Sequence, residues 1–346
     1  MGEAVTVRRL DDAGCVQWDA YCARAGQAGF FHRSGWRAIM DGVFGHRAHY
    51  LYAERAGVIT GILPLAHVRS RLFANALVSV PFLVHAGVVA DDVESRTALE
   101  RAAIDLAHDL GVDYLELRER EPVECDWPRR EGLYAWFARE IAADDETNLM
   151  AIPRKQRAMV RKGIGNGLVD VIDSDPARLY RCYSESLRNL GTPMFSRHYF
   201  PALLETFGGQ AEVLTVEHRG RALAAVLSFY HRDSVLPYYG GGVAAARELK
   251  AADFMYWRLL SRAAERGVRE FDYGRSKLGS GSYSFKKNWG FEPRPLAYRY
   301  QLVRARELPD TNPNNPRYRR FIAAWKHLPL AVANRVGPVI VRQTTG

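Results

Sequence analysis

The first 142 residues alternate between short apolar runs and longer stretches in which apolar residues recur every three or four positions. The runs predict strands and the longer stretches predict helices. The predicted strands are Tyr50–Ala53, Ile59–Val68, Leu77–Val80 and Tyr114–Arg118, and the predicted helices are Gly35–Val43 and Val93–Leu110. The pattern therefore indicates a mixed α/β lobe.

The second half repeats this pattern in a different order. Its predicted helices are Asn148–Gly163, Ala177–Leu190, a helix around His198–Phe207, and Ala251–Gly267. Its predicted strands are Val169–Ile172, Glu212–His218, Leu223–His231, Glu270–Tyr273 and Leu296–Val303. Two strands, a long helix, a strand, a loop and a last strand follow the order of an acyltransferase-like α/β lobe.

Domain limits follow from the length and from one turn-rich run. A chain of 346 residues exceeds one typical domain, and the Pro- and Asn-rich segment Leu308–Pro316 favours turns. We predict lobes at residues 1–145 and 146–305, followed by a tail at 306–346. The tail mixes apolar and basic residues over Arg317–Arg342, so its helix could pack on the body or lie on a membrane surface.

Charge and composition limit the kinds of partner that the protein is expected to bind. The chain has 48 Lys and Arg against 39 acidic residues, a net charge of +9. This excess favours an anionic partner such as a nucleotide-linked substrate, coenzyme A, tRNA or an anionic lipid headgroup, whereas no DNA-binding role is expected. A basic background without binding significance is the alternative.

Location and metal content are inferred from what the sequence lacks. There is no uninterrupted apolar run of membrane-spanning length and no apolar segment of the secretory type at the start. We therefore expect a cytoplasmic protein, with a peripheral position at the inner face of the membrane as the alternative. The four cysteines form no C-x-x-C pair and have no His at metal spacing, so no metal site is predicted.

Several common catalytic motifs are missing. The sequence has no phosphate-binding G-x-x-x-x-G-K-[ST] loop, no H-E-x-x-H and no G-x-S-x-G nucleophile elbow. Ser284 and Lys287 satisfy S-x-x-K, but the K-T-G motif that should accompany them is absent. These absences disfavour nucleotide hydrolysis, metalloprotease chemistry and serine-based hydrolysis.

The segment from Leu236 to Phe291 is the most informative. Three glycines, Gly240 to Gly242, follow an apolar strand and permit close backbone approach to a ligand. Further on, a strand is expected to deliver Asp272 and Arg275 to its C-terminal end, and a glycine-rich loop, Gly279–Ser284, precedes Phe285, Lys286 and Lys287. Two cations beside aromatic residues suggest an anion clamp or a stabiliser of developing negative charge. A solvated surface loop is the alternative.

These residues resemble the FemAB family of aminoacyltransferases. The resemblance rests on Tyr-Tyr-Gly-Gly-Gly, then Phe271-Asp-Tyr-Gly274, then Phe285-Lys-Lys-Asn-Trp-Gly290, and on a basic helix over Pro153–Lys162. HRSGWRAIMDGVFGH, FSRHYF and YSFKKNWGFEP are similar to the subgroup associated with exosortase and PEP-CTERM systems. The family implies two tandem acyl-CoA N-acyltransferase (GNAT)-like lobes, α/β (α+β) in class, with mixed sheets flanked by helices and a C-terminal tail helix.

The resemblance also implies the catalytic residues. Lys286 matches the lysine of the family's F-K-x-x-[FW]-G motif, which stabilises the charge that develops during acyl transfer, and Phe285 matches a position whose backbone assists. Asp272 matches a family aspartate that could be a base, a loop organiser or a structural group, and we favour the structural role.

Substrate binding is predicted from the basic helix and from the neighbours of these residues. Arg154, Lys155, Arg157, Arg161 and Lys162 concentrate positive charge on one helix, with no acid from Ala151 to Val169. A solvated helix face is the alternative. The predicted substrate-binding residues are Arg197, Arg188, Tyr239, Arg275, Tyr283, Lys287, Arg157 and Arg161.

Three functions follow. The first is an aminoacyl- or acyltransferase that forms an amide on an amine of a peptidoglycan-like or exopolysaccharide precursor, which would be nucleotide- or lipid-linked. The second is a coenzyme A-dependent N-acyltransferase of a polysaccharide locus, and the third is a non-catalytic scaffold that binds a nucleotide-sugar or lipid carrier. No cofactor is identified. The donor is either aminoacyl-tRNA or acyl-CoA, because neither a tRNA-type helical insertion nor a coenzyme A loop is evident.

Overall fold

The computed structural model describes residues 3–70, 73, 75–309 and 316–346, with the backbone alone at 316–318. The elements of the first part of the chain are β1 (Thr6–Arg9), α1 (Cys15–Arg24), α2 (Gly35–Ile39), β2 (Arg47–Ala48), β3 (Leu51–Arg55), β4 (Val58–Leu63), β5 (Ala66–Arg69), β6 (Asn75–Val78), β7 (Val89–Ala90), α3 (Val93–Asp109), β8 (Tyr114–Leu117) and β9 (Arg129–Glu140).

The second part of the chain is richer in helix. Its elements are α4 (Asp145–Ala151), α5 (Arg154–Gly165), β10 (Val169–Asp173), α6 (Ala177–Leu190), α7 (Tyr199–Phe207), β11 (Ala211–His218), β12 (Arg221–His231), β13 (Ser234–Gly242), α8 (Ala251–Glu265), β14 (Glu270–Lys277), α9 (Gly281–Asn288), β15 (Pro293–Leu302), α10 (Pro316–Lys326) and α11 (Leu330–Val341).

Proline breaks two elements that the apolar pattern predicts as continuous. The predicted strand Ile59–Val68 is two strands, β4 and β5, which pair in different sheets on either side of Pro64. The predicted helix Asn148–Gly163 is likewise two helices, because Pro153 occupies the N-cap position of α5. Proline cannot donate a backbone hydrogen bond, and it disfavours helical geometry in the preceding residue.

The predicted glycine-rich loop before Phe285 is wrong in part. Residues Gly281–Asn288 form helix α9, and the Ser280 side chain accepts a hydrogen bond of 3.2 Å from the Tyr283 N–H at its start. A serine cap offsets the low helix propensity of the glycine and serines that follow. Phe285 and Lys286 therefore lie on a helix rather than in a loop.

The chain forms two compact units, each assembled from separate stretches. The first contains the described residues of Met1–Leu133, Leu296–Thr311 and Val339–Gly346, and the second those of Tyr134–Pro295 and Asn312–Pro338. Most of β15, which we expected in the second lobe, thus lies in the first unit. We predicted that the lobes end at residues 145 and 305, and these limits remain predictions.

In the first unit, strands are grouped into two sets around one core. β1, β3, β4 and β7 form an antiparallel sheet, while β15, β8, β6, β5 and β2 pair in that order, with β8 and β6 parallel. Helix α3 packs on β3, β4 and β8. Apolar residues of these elements, including Leu63, Leu99 and Leu115, close the core.

The second unit is a mixed sheet with helices on both faces. Its strands run β10, β11, β12, β13, β14 and β9, and all neighbours are antiparallel except β13 and β14. Gly240 meets Tyr256 of α8 and Gly241 meets Tyr183 of α6. Because successive strand residues face opposite sides of a sheet, α8 and α6 cover opposite faces. The expected mixed α/β class, with helices flanking the sheets, is confirmed.

The tail contains two helices instead of the one predicted. α10 packs on α6, where Ile322 approaches Gly191, and α11 packs through Gly337 against the backbone of Met194. The turn-rich segment Leu308–Pro316 lies mostly outside the described residues. Among the residues that are described, no helix has both the length and the apolar character to cross a membrane.

Candidate functional site

A gap opens between the two parallel strands of the second unit. β13 and β14 are paired only where Ser234 and Val235 meet Glu270 and Phe271. Beyond these pairs β13 continues to Gly242 and β14 to Lys277, each pairing only with its outer neighbour. The facing edges therefore hold backbone groups that the sheet itself does not satisfy, which is an arrangement that favours a ligand.

Lys286 of α9 contacts β14, one of the two strands that border this gap. Its side chain is only 8% exposed, and its Nζ donates hydrogen bonds of 3.2 and 2.9 Å to the carbonyl oxygens of Gly274 and Arg275. The rings of Phe137 and Tyr273 lie 5.5 and 5.4 Å from Nζ. Two carbonyl dipoles and two ring faces thus surround a buried amine, and all four favour its charged form.

The bulge in β14 creates this carbonyl pair. The register of β14 against β9 shifts between Asp272 and Gly274, and Gly274 has φ +67°. A positive φ at this point is easily adopted only by glycine, and the irregularity lies directly beside the two residues whose carbonyls accept hydrogen bonds from Lys286.

The pKa of Lys286 reflects two opposing influences. Burial lowers the pKa to about 7, the negative charge of Asp272 acts against that decrease, and the positive charge of Arg275 adds to it. The group therefore changes its charge near neutral pH. Such a shift, in a buried lysine beside an open strand edge, is typical of functional sites.

Asp272 lies in the middle of β14 rather than at its end. Its Oδ1 accepts hydrogen bonds from Trp136 Nε1 at 2.6 Å and from the Gly274 N–H at 2.8 Å. These contacts hold the bulge that presents the carbonyls to Lys286. They are consistent with the structural role that we favour, which stays a prediction.

The other predicted residues of α9 differ in exposure. Phe285 is half-buried against Tyr256 and Trp289, with ring centroids 5.7 and 6.1 Å apart. Tyr283 packs edge-on against Phe137 at 5.4 Å. Lys287 is exposed, and its Nζ lies 5.9 Å from the Tyr283 ring. Helical geometry thus separates two adjacent lysines, one inward and one outward.

Two predicted substrate-binding residues of the strands have internal partners. The Arg275 guanidinium lies 4.5 Å from the centre of the Tyr134 ring. Tyr239 is 3% exposed, and its hydroxyl is hydrogen-bonded to the Tyr199 hydroxyl. In this conformation Tyr239 belongs to an aromatic core that includes Tyr183 and Phe200.

The triple glycine allows two helices of the protein to pack closely against β13. A Cβ on Gly240 would lie 2.7 Å from the Tyr256 hydroxyl, and a Cβ on Gly241 would lie 2.9 Å from the Tyr183 Cα. Close approach was expected from the sequence, but internal packing, not a ligand, occupies the space at these two positions.

Helix α5 presents the basic patch to solvent. Gln156, Val160 and Gly163 are buried, and the opposite face carries a hollow of about 550 Å³ lined by Arg154, Arg157, Ala158, Arg161 and Lys162. Small Ala158 lies between the cations. Among the described residues none of these cations forms an ion pair, although Arg157 donates to the carbonyls of Ile152 and Met150. The hollow can therefore receive an anion.

A buried carboxyl that the sequence did not reveal joins α5 to α8. Asp253 is 9% exposed, and it accepts a hydrogen bond from Gln156 Nε2 of α5. Burial raises its pKa to about 6, while the neighbouring Trp289, Lys250 and Gln156 act in the opposite direction. An aspartate in the first turn of a helix is ordinary, so only the packing identifies it.

Arg188 and Arg197 lie in different surroundings. Arg188 donates to the Lys326 carbonyl of α10 at 3.4 Å, and the Arg197 guanidinium lies 5.6 Å from the Tyr180 ring centre. Their contacts are with α6 and the tail rather than with the residues around Lys286. Their predicted role in substrate binding is therefore still a prediction.

One known family matches part of the chain. Residues 151–287, from the end of α4 to α9, match the family described as acetyltransferase (GNAT) domain. This range includes the diverging strands, the basic helix and Lys286. The match covers less than half of the chain, and it assigns a GNAT-type acyltransferase domain to that stretch. No curated protein matches it in sequence.

Solved structures are similar over most of the chain. FemX matches with a TM-score of 0.66 at 15% identity, over 84% of this chain and 96% of its own. A tandem GNAT protein from the clavulanic acid biosynthesis pathway matches with a TM-score of 0.52 at 13% identity, over 86% and 98%. L-PGS from Bacillus licheniformis matches with a TM-score of 0.50 at 12% identity, over 85% and 90%. At these identities the likeness is one of fold, and it supports the two-lobed architecture.

Proposed function

We propose that this chain is a Fem-type transferase, which moves an aminoacyl or acyl group onto an amine of an anionic, nucleotide- or lipid-linked envelope precursor. The observation that carries the proposal is Lys286, a buried amine held by two carbonyls of β14, one of the strands that border the gap between β13 and β14. The subgroup linked to exosortase systems makes an exopolysaccharide or peptidoglycan-like acceptor our specific expectation.

The reaction needs stabilisation of an oxyanion. A neutral acceptor amine attacks the donor carbonyl, a C–N bond forms, and negative charge develops on the carbonyl oxygen. The intermediate then collapses with loss of the donor's alcohol or thiol, which takes up the proton released by the nitrogen. A fixed ammonium beside that oxygen lowers the barrier, by about 3 kcal/mol for a single well-placed donor.

The position of Lys286 suits this role. Its two hydrogen bonds to carbonyls leave one N–H of the ammonium for the reacting oxygen. Because the group is buried, little water competes for that N–H, and its electrostatic effect is stronger than it would be at the surface.

The hollow over α5 supports an anionic acceptor. Arginine recognises phosphate in a bidentate manner, and the hollow offers three arginines and one lysine around a small side chain. A lipid-linked acceptor would place the protein at the inner face of the membrane.

A coenzyme A-dependent N-acyltransferase is the second candidate. The diverging edges of β13 and β14 favour it, because an extended donor that contains amides could pair with strand edges that do not pair with each other. Aminoacyl-tRNA, by contrast, would present its ester without requiring such pairing. The two donors therefore make different demands on the same gap.

Replacement of Lys286 tests the proposal. With acyl-CoA and charged tRNA supplied in turn, Lys286→Met should lower turnover by about 10²-fold or more while changing substrate affinity much less. Lys287→Met is the matched control, since that neighbour is exposed. Near-normal turnover of Lys286→Met with the correct substrates would contradict the Fem-type mechanism. Binding of a precursor without turnover from any donor would favour the scaffold.

A further inference from the structure

A second hollow lies in the same unit, away from the residues around Lys286. Its volume is about 380 Å³, within the size range of small-molecule sites. Its walls are helix α6, the first turn of α7 with the segment before it, and tail helix α11. The residues that shape its chemistry are Asp175, Tyr180, Arg181, Arg197, Phe200 and Asn334.

The hollow is lined by two arginines and by two aromatic rings. Arg181 forms no ion pair with the described residues, and Arg197 lies over the Tyr180 ring. Tyr180 and Phe200 meet edge to face at 6.4 Å. Two guanidinium groups near two rings suit an organic anion that also has an apolar part.

The same hollow also contains two hydrogen-bond acceptors, which favour a ligand with a donor group. Asn334 Oδ1 is buried and has no hydrogen-bond partner among the described residues, although its Nδ2 lies 3.5 Å from Ser184 Oγ. Asp175 uses Oδ1 to accept the Ala177 N–H at 2.9 Å, and its second oxygen makes no hydrogen bond within the described part of the chain. A buried acceptor without a donor calls for one from outside the protein.

We propose that this hollow binds a small zwitterion of the α-amino acid class. The carboxylate would meet Arg181 and Arg197, the ammonium would meet Asp175 and Asn334, and the ligand's side chain would lie on Tyr180 and Phe200. A simple anion would leave the buried Asn334 Oδ1 without a donor, and a simple amine would make no use of the two arginines. The tail helix α11 thus forms a wall of a ligand site.

Thermal shift and calorimetry on the full chain test this site, with each standard amino acid as a probe and acetate and methylamine as singly charged controls. At least one amino acid should raise Tm in a saturable manner, and neither control should do so. Arg181→Gln and Asn334→Leu should each weaken binding by about tenfold or more. Arg335→Gln, an exposed change on the same helix, should bind as the unaltered protein does.

Three results would overturn the proposal: no amino acid raises Tm, acetate alone reproduces the shift, or Arg181→Gln binds normally. Arg181 is exposed, so its substitution leaves the fold intact even if Asn334→Leu does not fold. Lys286→Met should bind the amino acid normally, because the hollow shares no residue with the gap. Failure here and failure of the proposed transferase function are therefore separable.

Discussion

At the scale of the residue, Lys286 owes its chemistry to its surroundings. The lysine lies on the buried side of α9, and the bulge at Gly274 supplies the carbonyls that keep its amine in place. Asp272 holds the bulge through the Gly274 N–H. A surface lysine would stay charged well above neutral pH, whereas this one loses its proton in the physiological range.

The lowered pKa predicts a pH-dependent turnover. Below pH 7 the side chain is mostly ammonium, and the ammonium is lost as the pH rises through about 7. If the ammonium stabilises the oxyanion, its loss contributes a decline in kcat over this range, on which the increase from deprotonation of the acceptor amine is superimposed. Lys286→Arg keeps its charge, so this decline should disappear from its pH–rate profile.

The oxyanion role would be contradicted if kcat of the unaltered protein rose through pH 7 and this rise were absent in Lys286→Arg. Such a result would assign the neutral amine as a general base. Stopped assays between pH 6 and 9, with saturating donor and acceptor, distinguish the two outcomes.

At the scale of the element, α5 and α9 are linked by packing and hydrogen-bond contacts. Gln156 of α5 is bonded to Asp253 of α8, and a Cβ on Gly290, just after α9, would lie 3.0 Å from Pro153 at the start of α5. Arg139 donates to the carbonyls of both Ala151 and Trp289. The basic face and the helix of Lys286 therefore keep a fixed relation.

Charge reversal on α5 should weaken acceptor binding. Arg154→Glu combined with Arg161→Glu replaces two cations that line the hollow. Affinity for a nucleoside-diphosphate-linked sugar should fall by about tenfold or more, and its salt dependence should flatten. Arg319→Glu with Arg320→Glu is the control, because it changes net charge equally on exposed residues of α10. Equal loss in both double variants, measured by titration calorimetry, would mean that only overall charge matters.

At the scale of the whole molecule, the described residues of Asn312–Pro338, which make up most of the tail, are a packed part of the second unit. Gly337 of α11 lies so close to the backbone of Met194 that a Cβ would stand 2.8 Å from its nitrogen. Gly191, with φ +84°, likewise admits Ile322 of α10. Close backbone packing of this kind leaves no room for a larger side chain.

Gly337→Val should destabilise the fold by about 1–3 kcal/mol, since the backbone of Met194 cannot yield as a side chain would. Ala331→Val on the exposed side of α11 adds a comparable β-branched side chain without the clash. Urea unfolding of the two variants measures the difference. If both unfold at the same midpoint, the tail does not dock as described.

The candidate site was predictable where a residue's identity matters more than its surroundings. The Phe-Lys motif singles out Lys286, and the run of five cations singles out α5. By contrast, the burial of Asp253 and the orphan oxygen of Asn334 depend on partners about a hundred or more residues away. No local pattern encodes such partners.

What the sequence by itself determined is the mixed α/β class and the bounds of several helices. Periodicity located α6 and α8 almost to the residue, since local apolar spacing reflects which face a helix buries. Tertiary structure alone decided that β13 and β14 separate after two residue pairs, that the triple glycine admits helices, and that Lys286 is buried while Lys287 is exposed. Each of these depends on contacts between segments distant in sequence, where the energy of packing and desolvation is set by neighbours that no local window contains.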